Sequence, residues 1–116
     1  MKKLFYLILI IGATISLWSC KDAKESEKKA DEFYGFLIDE DYDAVVNLIS
    51  DKALEVDDED VWISLFKQRT KSIGAPIEWK KTYTGFETNE IGKITELRFE
   101  VKNENKTTYE TLKFYE

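Results

Sequence analysis

The feature that most constrains this chain is an uncharged apolar run near its start, which ends close to its single cysteine. Leu4–Leu17 follows Lys2 and Lys3, and charged residues resume directly after Cys20. A run of 14 residues is short for a membrane-spanning helix, which takes about 20 residues. A short apolar run behind a basic start is typical of a secretory signal peptide. We therefore predict that residues 1–19 are removed, which leaves 97 of the 116 residues to fold.

The residues around the cysteine resemble the lipobox of bacterial lipoproteins. Leu17-Trp18-Ser19-Cys20 has leucine three residues before the cysteine and a small residue directly before it, and departs from the pattern only at the bulky Trp18. The resemblance implies a diacylglycerol thioether on Cys20, cleavage before it and an acylated new N-terminus. It places the protein in the bacterial cell envelope, anchored by lipid to a membrane; the outer membrane is favoured, and the choice of membrane stays open. Lys21-Asp22 is similar to a surface-export signal, so the periplasmic and surface faces both stay open.

The composition excludes several classes of function. Lys2 and Lys3 leave with the signal peptide, so the net charge of −6 becomes −8. Such a balance argues against nucleic-acid binding, which needs basic patches. The chain has no histidine, and acylation would consume its only thiol. We therefore expect no metal, no cofactor, no disulfide and no catalytic residue, because the commonest metal ligands and the commonest general base are missing.

Two acidic runs have structural explanations. Asp39-x-Asp41-x-Asp43 has the opening spacing of a calcium loop, but Ala44 stands in place of the glycine and Ser50 in place of the closing glutamate. Asp57–Asp60 is typical of a helix start, where carboxylates complement the helix dipole. Both runs therefore indicate helix ends and caps, and neither indicates a metal site.

Beyond a short charged tether at residues 20–27, residues 28–116 predict a single α+β domain. Apolar residues at helical spacing indicate three helices: residues 24–39, a shorter helix capped by Asp41 and ending near Ser50, and a third from the Asp57–Asp60 run to Gly74. The period then changes to two, which predicts three strands. They are Ile77 to Gly85, Thr95 to Val101 and Thr107 to Tyr115. Helices followed by an antiparallel meander predict helices packed on one face of the sheet.

The alternation also predicts which strand residues share a face. In the first strand, Ile77, Trp79, Lys81 and Tyr83 are expected on one side of the sheet. The last strand, Thr107 to Tyr115, has a hairpin partner on one side only. We therefore expect this edge to self-associate or to accept a strand from a protein partner.

Several short motifs resemble the nuclear-transport-factor-2-like (cystatin-like) superfamily, and an uncharacterised bacterial family within it. They are Ala30–Tyr34, Asp41–Ala44, the spacing of Trp62, Arg69 and Gly74, and Glu110–Leu112. The resemblance implies a cone-like fold whose sheet wraps a pocket against the helices. Some members bind small molecules, a few are isomerases or dehydratases, and many are binding modules. Such domains usually continue into a further strand, so this chain is either a fragment or a trimmed domain.

The candidate pocket consists of one cation and four aromatic residues, Trp62, Phe66, Arg69, Trp79 and Tyr83. Arg69 lies on the apolar stripe of the third helix. The structural interpretation lays its stem on the core, with its head paired to a carboxylate at the rim. The functional interpretation makes it an anion-recognising group at the pocket mouth. The aromatic residues are interpreted as core rather than as a ligand platform.

Three functions stay open. The leading hypothesis is a non-catalytic, lipid-anchored domain that binds a protein or envelope component, and it predicts an interior filled by aromatic side chains. The second is a small-ligand pocket with isomerase- or dehydratase-type chemistry, which needs an open cavity with a buried carboxylate. The third is an acidic inhibitor or immunity-type lipoprotein, which needs a contiguous acidic face.

Overall fold

The computed structural model describes residues 12–18, 23–49, 54–55, 57–90 and 92–115. It has the predicted α+β class, with three helices followed by a three-stranded antiparallel sheet, and a further strand comes before the helices. The elements are β1 (Gly12–Trp18), α1 (Ala23–Ile38), α2 (Tyr42–Leu48), α3 (Glu59–Ile73), β2 (Pro76–Asn89), β3 (Gly92–Asn103) and β4 (Thr107–Tyr115). Cys20, Lys21, Asp22 and Ser50 lie outside the described residues.

The helices begin and end at the residues that local chemistry favours. The Asp41 carboxylate accepts a hydrogen bond from the Ala44 amide at the start of α2, and Asp58 does the same for Val61 at the start of α3. Helix α3 ends at Gly74, whose φ of 86° is one that L side chains rarely adopt. A Cβ there would also lie 2.6 Å from the Glu104 Cβ. The helix therefore ends at a position that requires glycine, both for its positive φ and because a side chain would collide with Glu104.

The first helix begins earlier than the predicted end of the tether. Helix α1 starts at Ala23, and Ser26 is already fully buried. Glu27 forms an ion pair with Lys81 of β2 at 2.8 Å. Part of the segment predicted as tether is therefore helical and attached to the sheet.

Strand β4 has the predicted bounds. In β2, the side chains do not lie on the faces of the sheet that the sequence predicts. Register shifts occur between Pro76 and Glu78 and between Lys81 and Tyr83. The expectation that Ile77, Trp79, Lys81 and Tyr83 share one face is therefore wrong, because each bulge adds a residue and reverses the side that the later residues of the strand face. Trp79 lies opposite the buried Val101, whereas Tyr83 lies opposite the exposed Arg98.

The sheet has a fourth strand on the edge that the sequence leaves open. The strand order is β1-β4-β3-β2, and β1 pairs with β4 in parallel, from Gly12 opposite Tyr109 to Trp18 opposite Tyr115. Residues 12–18 belong to the predicted signal peptide. In this chain, residues 12–18 thus cover the β4 edge. That they belong to a leader that is removed by cleavage stays a prediction.

The core is built from all three helices and from β3 and β4. Within the part of the chain that the structure describes, the buried residues of this core run from Ala30 to Phe114. Aromatic side chains fill its centre; Phe33, Tyr34, Trp62 and Phe66 are 0% exposed. The described part of the chain contains no helix that is both long and apolar enough to cross a membrane.

Candidate functional site

A buried ion pair joins α3 to β4. The Arg69 Nη2 lies 2.7 Å from the Glu110 Oε2, and both side chains are 0% exposed. Arg69 is on the core-facing stripe of α3 with Trp62, Phe66 and Ile73. Glu110 alternates with buried residues along β4 and so faces the same core. Two opposite charges, 41 residues apart in sequence, therefore meet because each lies on an inward face.

Hydrogen bonds extend this pair into a cluster of five side chains: Tyr34, Arg69, Asn103, Thr108 and Glu110. The Tyr34 hydroxyl donates to the Glu110 Oε1 at 3.0 Å, and the Thr108 hydroxyl donates to Oε2 at 2.7 Å. Arg69 also donates to the Asn103 Oδ1 at 3.1 Å, and the Asn103 amide donates to the Thr108 Oγ1 at the same distance. The cluster thus ties α1, α3, β3 and β4 together at one buried point.

The position of the Arg69 head differs from the prediction. We expected it at the rim, but its guanidinium is fully buried because β4 supplies a carboxylate inside the core. Glu110 was not predicted as a site residue. Its sequence signal is the alternation of the strand, since it stands two residues before Leu112 and four before Phe114, and alternate residues of a strand share a face.

Burial raises the pKa of the Tyr34 phenol well above its usual value. Desolvation of the ionised form contributes most, the negative charge of Glu110 adds to it, and the positive charge of Arg69 opposes it. The neutral Tyr34 phenol keeps its proton, and its O–H group donates a hydrogen bond to the Glu110 carboxylate. The Glu110 carboxylate therefore accepts hydrogen bonds from a phenol, a hydroxyl and a guanidinium.

The raised pKa predicts a loss of stability in alkaline solution. The unfolded chain releases the phenol proton near pH 10, whereas the folded chain holds it to a higher pH. The contribution of neutral Tyr34 is therefore complete below pH 10 and falls above it, by up to about 1.4 kcal/mol per pH unit. Urea unfolding between pH 9 and 11 should show this extra slope for the natural chain and not for Tyr34→Phe. Tyr109→Phe is the control, because that ring is 54% exposed; equal slopes in all three chains would contradict the assignment.

The structure brings four of the five candidate pocket residues to the inner side of the sheet. Trp62 and Phe66 stack at 5.9 Å between ring centroids, beside the buried Arg69. Trp79 is half-buried, stacks on Tyr34 at 5.0 Å and donates to the Asp31 carboxylate at 2.8 Å. Tyr83 lies apart on the outer face, because of the bulge in β2. The Arg98 guanidinium carbon is 4.4 Å from the centroid of its ring.

The outer face of the sheet carries a groove of about 490 Å³. The charged side chains that line it on this face are Glu96, Arg98 and Lys113. Glu96 pairs with Arg98 at 2.7 Å and lies opposite Lys113 in the register. Lys80 likewise lies opposite Glu100 on this face. The sheet therefore presents alternating signs to solvent, rather than a contiguous acidic surface.

Neither a metal site among the described side chains nor a similarity to known proteins indicates a function for this chain. Within the described residues, no group of three or more acidic, cysteine or histidine side chains is placed to hold a metal ion. Comparison with protein-family models, curated protein sequences and solved structures finds no match to this chain. The candidate site therefore rests on its geometry alone.

Proposed function

We propose that this chain is a lipid-anchored protein of a bacterial cell envelope, whose domain binds a protein or envelope component without catalysis. The leader up to Ser19 would direct export, and acylation of Cys20 would attach the domain to the membrane. The helices and sheet would form the cone of the nuclear-transport-factor-2-like superfamily. In this proposal the cone serves as a rigid scaffold, and its surface does the binding.

The observation that carries the proposal is the filled interior. Where ligand-binding relatives of such a fold would keep a pocket, Phe33, Tyr34, Trp62 and Phe66 are fully buried against one another. The charged groups in this space, Arg69 and Glu110, are paired with each other. A site of this kind stabilises a single packing arrangement and offers no free group to a substrate.

The small-ligand alternative is supported by one observation. Tyr34 and Glu110 form the carboxylate and phenol pair that an isomerase without histidine would use, and they are hydrogen-bonded at 3.0 Å. Both are at most 1% exposed, so a substrate would need the helices to move apart. The inhibitor alternative is supported by the acidic net charge alone, and the alternating charges of the outer sheet face oppose it.

Lipidation is the part of the proposal with the simplest test. Cells that express the full chain are fed an alkyne-labelled fatty acid, and the protein is probed for the label and for membrane fractionation. Several acyl chains on one site are enough for stable anchoring. Cys20→Ser should abolish the label and leave the precursor uncleaved, while Ser19→Ala should keep both label and cleavage, because a small residue before the cysteine is retained. Labelling of the Cys20→Ser chain would overturn the anchor.

A further inference from the structure

The outer edge of β4 is covered by a segment that the processed protein would not contain. Gly12–Trp18 pairs with this edge over seven residues, and all of them precede the predicted cleavage site at Cys20. Cleavage would remove this strand and leave a row of unpaired backbone N–H and C=O groups on β4. Such a row is a template for another strand.

The register shows which chemistry the edge accepts. Alternate residues of β4, among them Glu110, Leu112 and Phe114, are buried in the core. The residues opposite these three are Ala13, Ile15 and Leu17. The intervening positions of the leader strand hold Gly12, Thr14, Ser16 and Trp18, and none of its seven residues is charged. By register, the occupant thus has apolar residues opposite the buried positions of β4, with the smallest of them opposite Glu110.

The two edges of the antiparallel sheet are not equivalent. Strand β2 begins with Pro76, contains two register shifts and carries Lys80 and Lys81 side by side. Proline, bulges and lysines are the features by which proteins protect an edge from pairing. The register between β3 and β4 is continuous from Thr107 to Tyr115. Strand β4 is therefore the regular edge, on which a further strand can form uninterrupted backbone hydrogen bonds.

We infer that β4 of the processed protein accepts an extended segment of a partner protein as a parallel strand. This inference deepens the proposed function and rests on the cleavage that removes residues 1–19. The segment is uncharged over about seven residues, has apolar residues at alternate positions, and places a small one opposite Glu110. Backbone hydrogen bonds supply affinity in this mode of recognition, and the alternate side chains supply specificity.

A second copy of this chain is a poorer occupant. A two-fold dimer through β4 that keeps both cores on the same side of a continuous sheet pairs the two strands antiparallel. The leader occupies the edge in the parallel orientation.

The experiment uses the chain from Lys21 to Glu116, which keeps the whole described core between Ala30 and Phe114. The probe is a fluorescently labelled synthetic peptide of residues 12–18, whose binding is measured by anisotropy. We expect saturable binding and slower hydrogen exchange of β4 amides, with β2 amides unchanged. The full-length Cys20→Ser chain retains its own leader on the edge and should bind the peptide at least about tenfold more weakly, because the intramolecular strand competes.

Two matched peptides test the register. A peptide with lysine in place of Ile15 puts a charge opposite the buried Leu112 and should lose at least about tenfold in affinity. A peptide with lysine in place of Thr14 puts the same charge opposite Thr111 on the outer face, and should stay within about threefold. Absence of binding, or an equal loss for both peptides, would overturn the inference. So would β4 protection by self-association that the peptide does not change.

Failure of this inference can be told apart from failure of the proposed function. A negative peptide titration with acylated Cys20 overturns the strand site and leaves the anchored protein in place. A chain that is cleaved but carries no acyl group, together with a positive titration, overturns the anchor, whereas the strand site is supported.

Discussion

Arg69→Met should lower the free energy of unfolding by about 3–5 kcal/mol, as expected when one partner of a buried ion pair is removed. The substitution keeps most of the apolar stem but leaves the Glu110 charge in the core, where both partners are 0% exposed. Typical domains have about 5–15 kcal/mol of stability in total, so the loss is a large fraction. Urea unfolding monitored by tryptophan fluorescence measures it.

The matched control is the exposed ion pair between Lys81 and Glu27, whose side chains are 34% and 43% exposed at a similar distance of 2.8 Å. Lys81→Met should cost no more than about 1 kcal/mol, because solvent screens the pair. An equal loss in the two variants would contradict the buried pair and return Arg69 to the rim position predicted from the sequence.

A double variant separates the lost attraction from the charge left behind. Among the described residues, none accepts a hydrogen bond from the Nε or Nη1 atoms of Arg69, so the pair itself is costly to bury. In Arg69→Met/Glu110→Gln the uncompensated charge is removed, while the side-chain oxygen stays available to the Tyr34 hydroxyl. We expect this variant to be more stable than Arg69→Met by at least about 1 kcal/mol. Additive losses would show that the two residues act independently.

Phe66→Ala should cost about 3–5 kcal/mol, the range for truncation of a buried aromatic residue. Phe66 is 0% exposed and lies within 6 Å of the Trp62 and Phe33 rings, measured between centroids. A ring of this kind contributes through close packing, and its removal leaves a cavity that neighbours fill only in part. Thermal and urea unfolding provide the measurement.

Phe86→Ala is the control of the same residue type, because its ring is 61% exposed. It should change stability by no more than about 0.5 kcal/mol. This pair also tests the proposed function. If Phe66 lined an open ligand pocket, its truncation would be tolerated almost as well as that of Phe86, and the filled interior would be refuted.

The helices were predicted well because their signals are local. Asp58 and Gly74 mark the ends of α3 by a cap and by a backbone conformation, both of which act within one turn of the chain. The strand bounds of β4 were also predicted, since alternation from Thr107 to Tyr115 is uninterrupted. In β2 the same rule failed at the bulges near Ile77 and Thr82, because a bulge depends on the partner strand and leaves little trace in the sequence.

The candidate site was predicted only in part. The sequence singled out Arg69 as a cation on an apolar stripe, but its partner Glu110 became visible only when α3 and β4 met. The alternation of β4 places Glu110 on the same face as Leu112. That pattern alone could not show whether the carboxylate is buried or whether the strand is irregular at this position. The sequence also placed Tyr83 with Trp79, and only the register with Arg98 and Val101 put the two on opposite faces.

The sequence by itself therefore determined the order and type of the elements from α1 to β4, since periodicity and caps are properties of neighbouring residues. The leader and the lipidation site at Cys20 stay predictions. Only the tertiary structure decided the burial of Arg69 with Glu110, the bulges of β2 and the occupant of the β4 edge. Each of these depends on groups far apart in sequence. Their contact is set by how the sheet and helices pack as a whole, because desolvation and strand register exist only once the chain has folded.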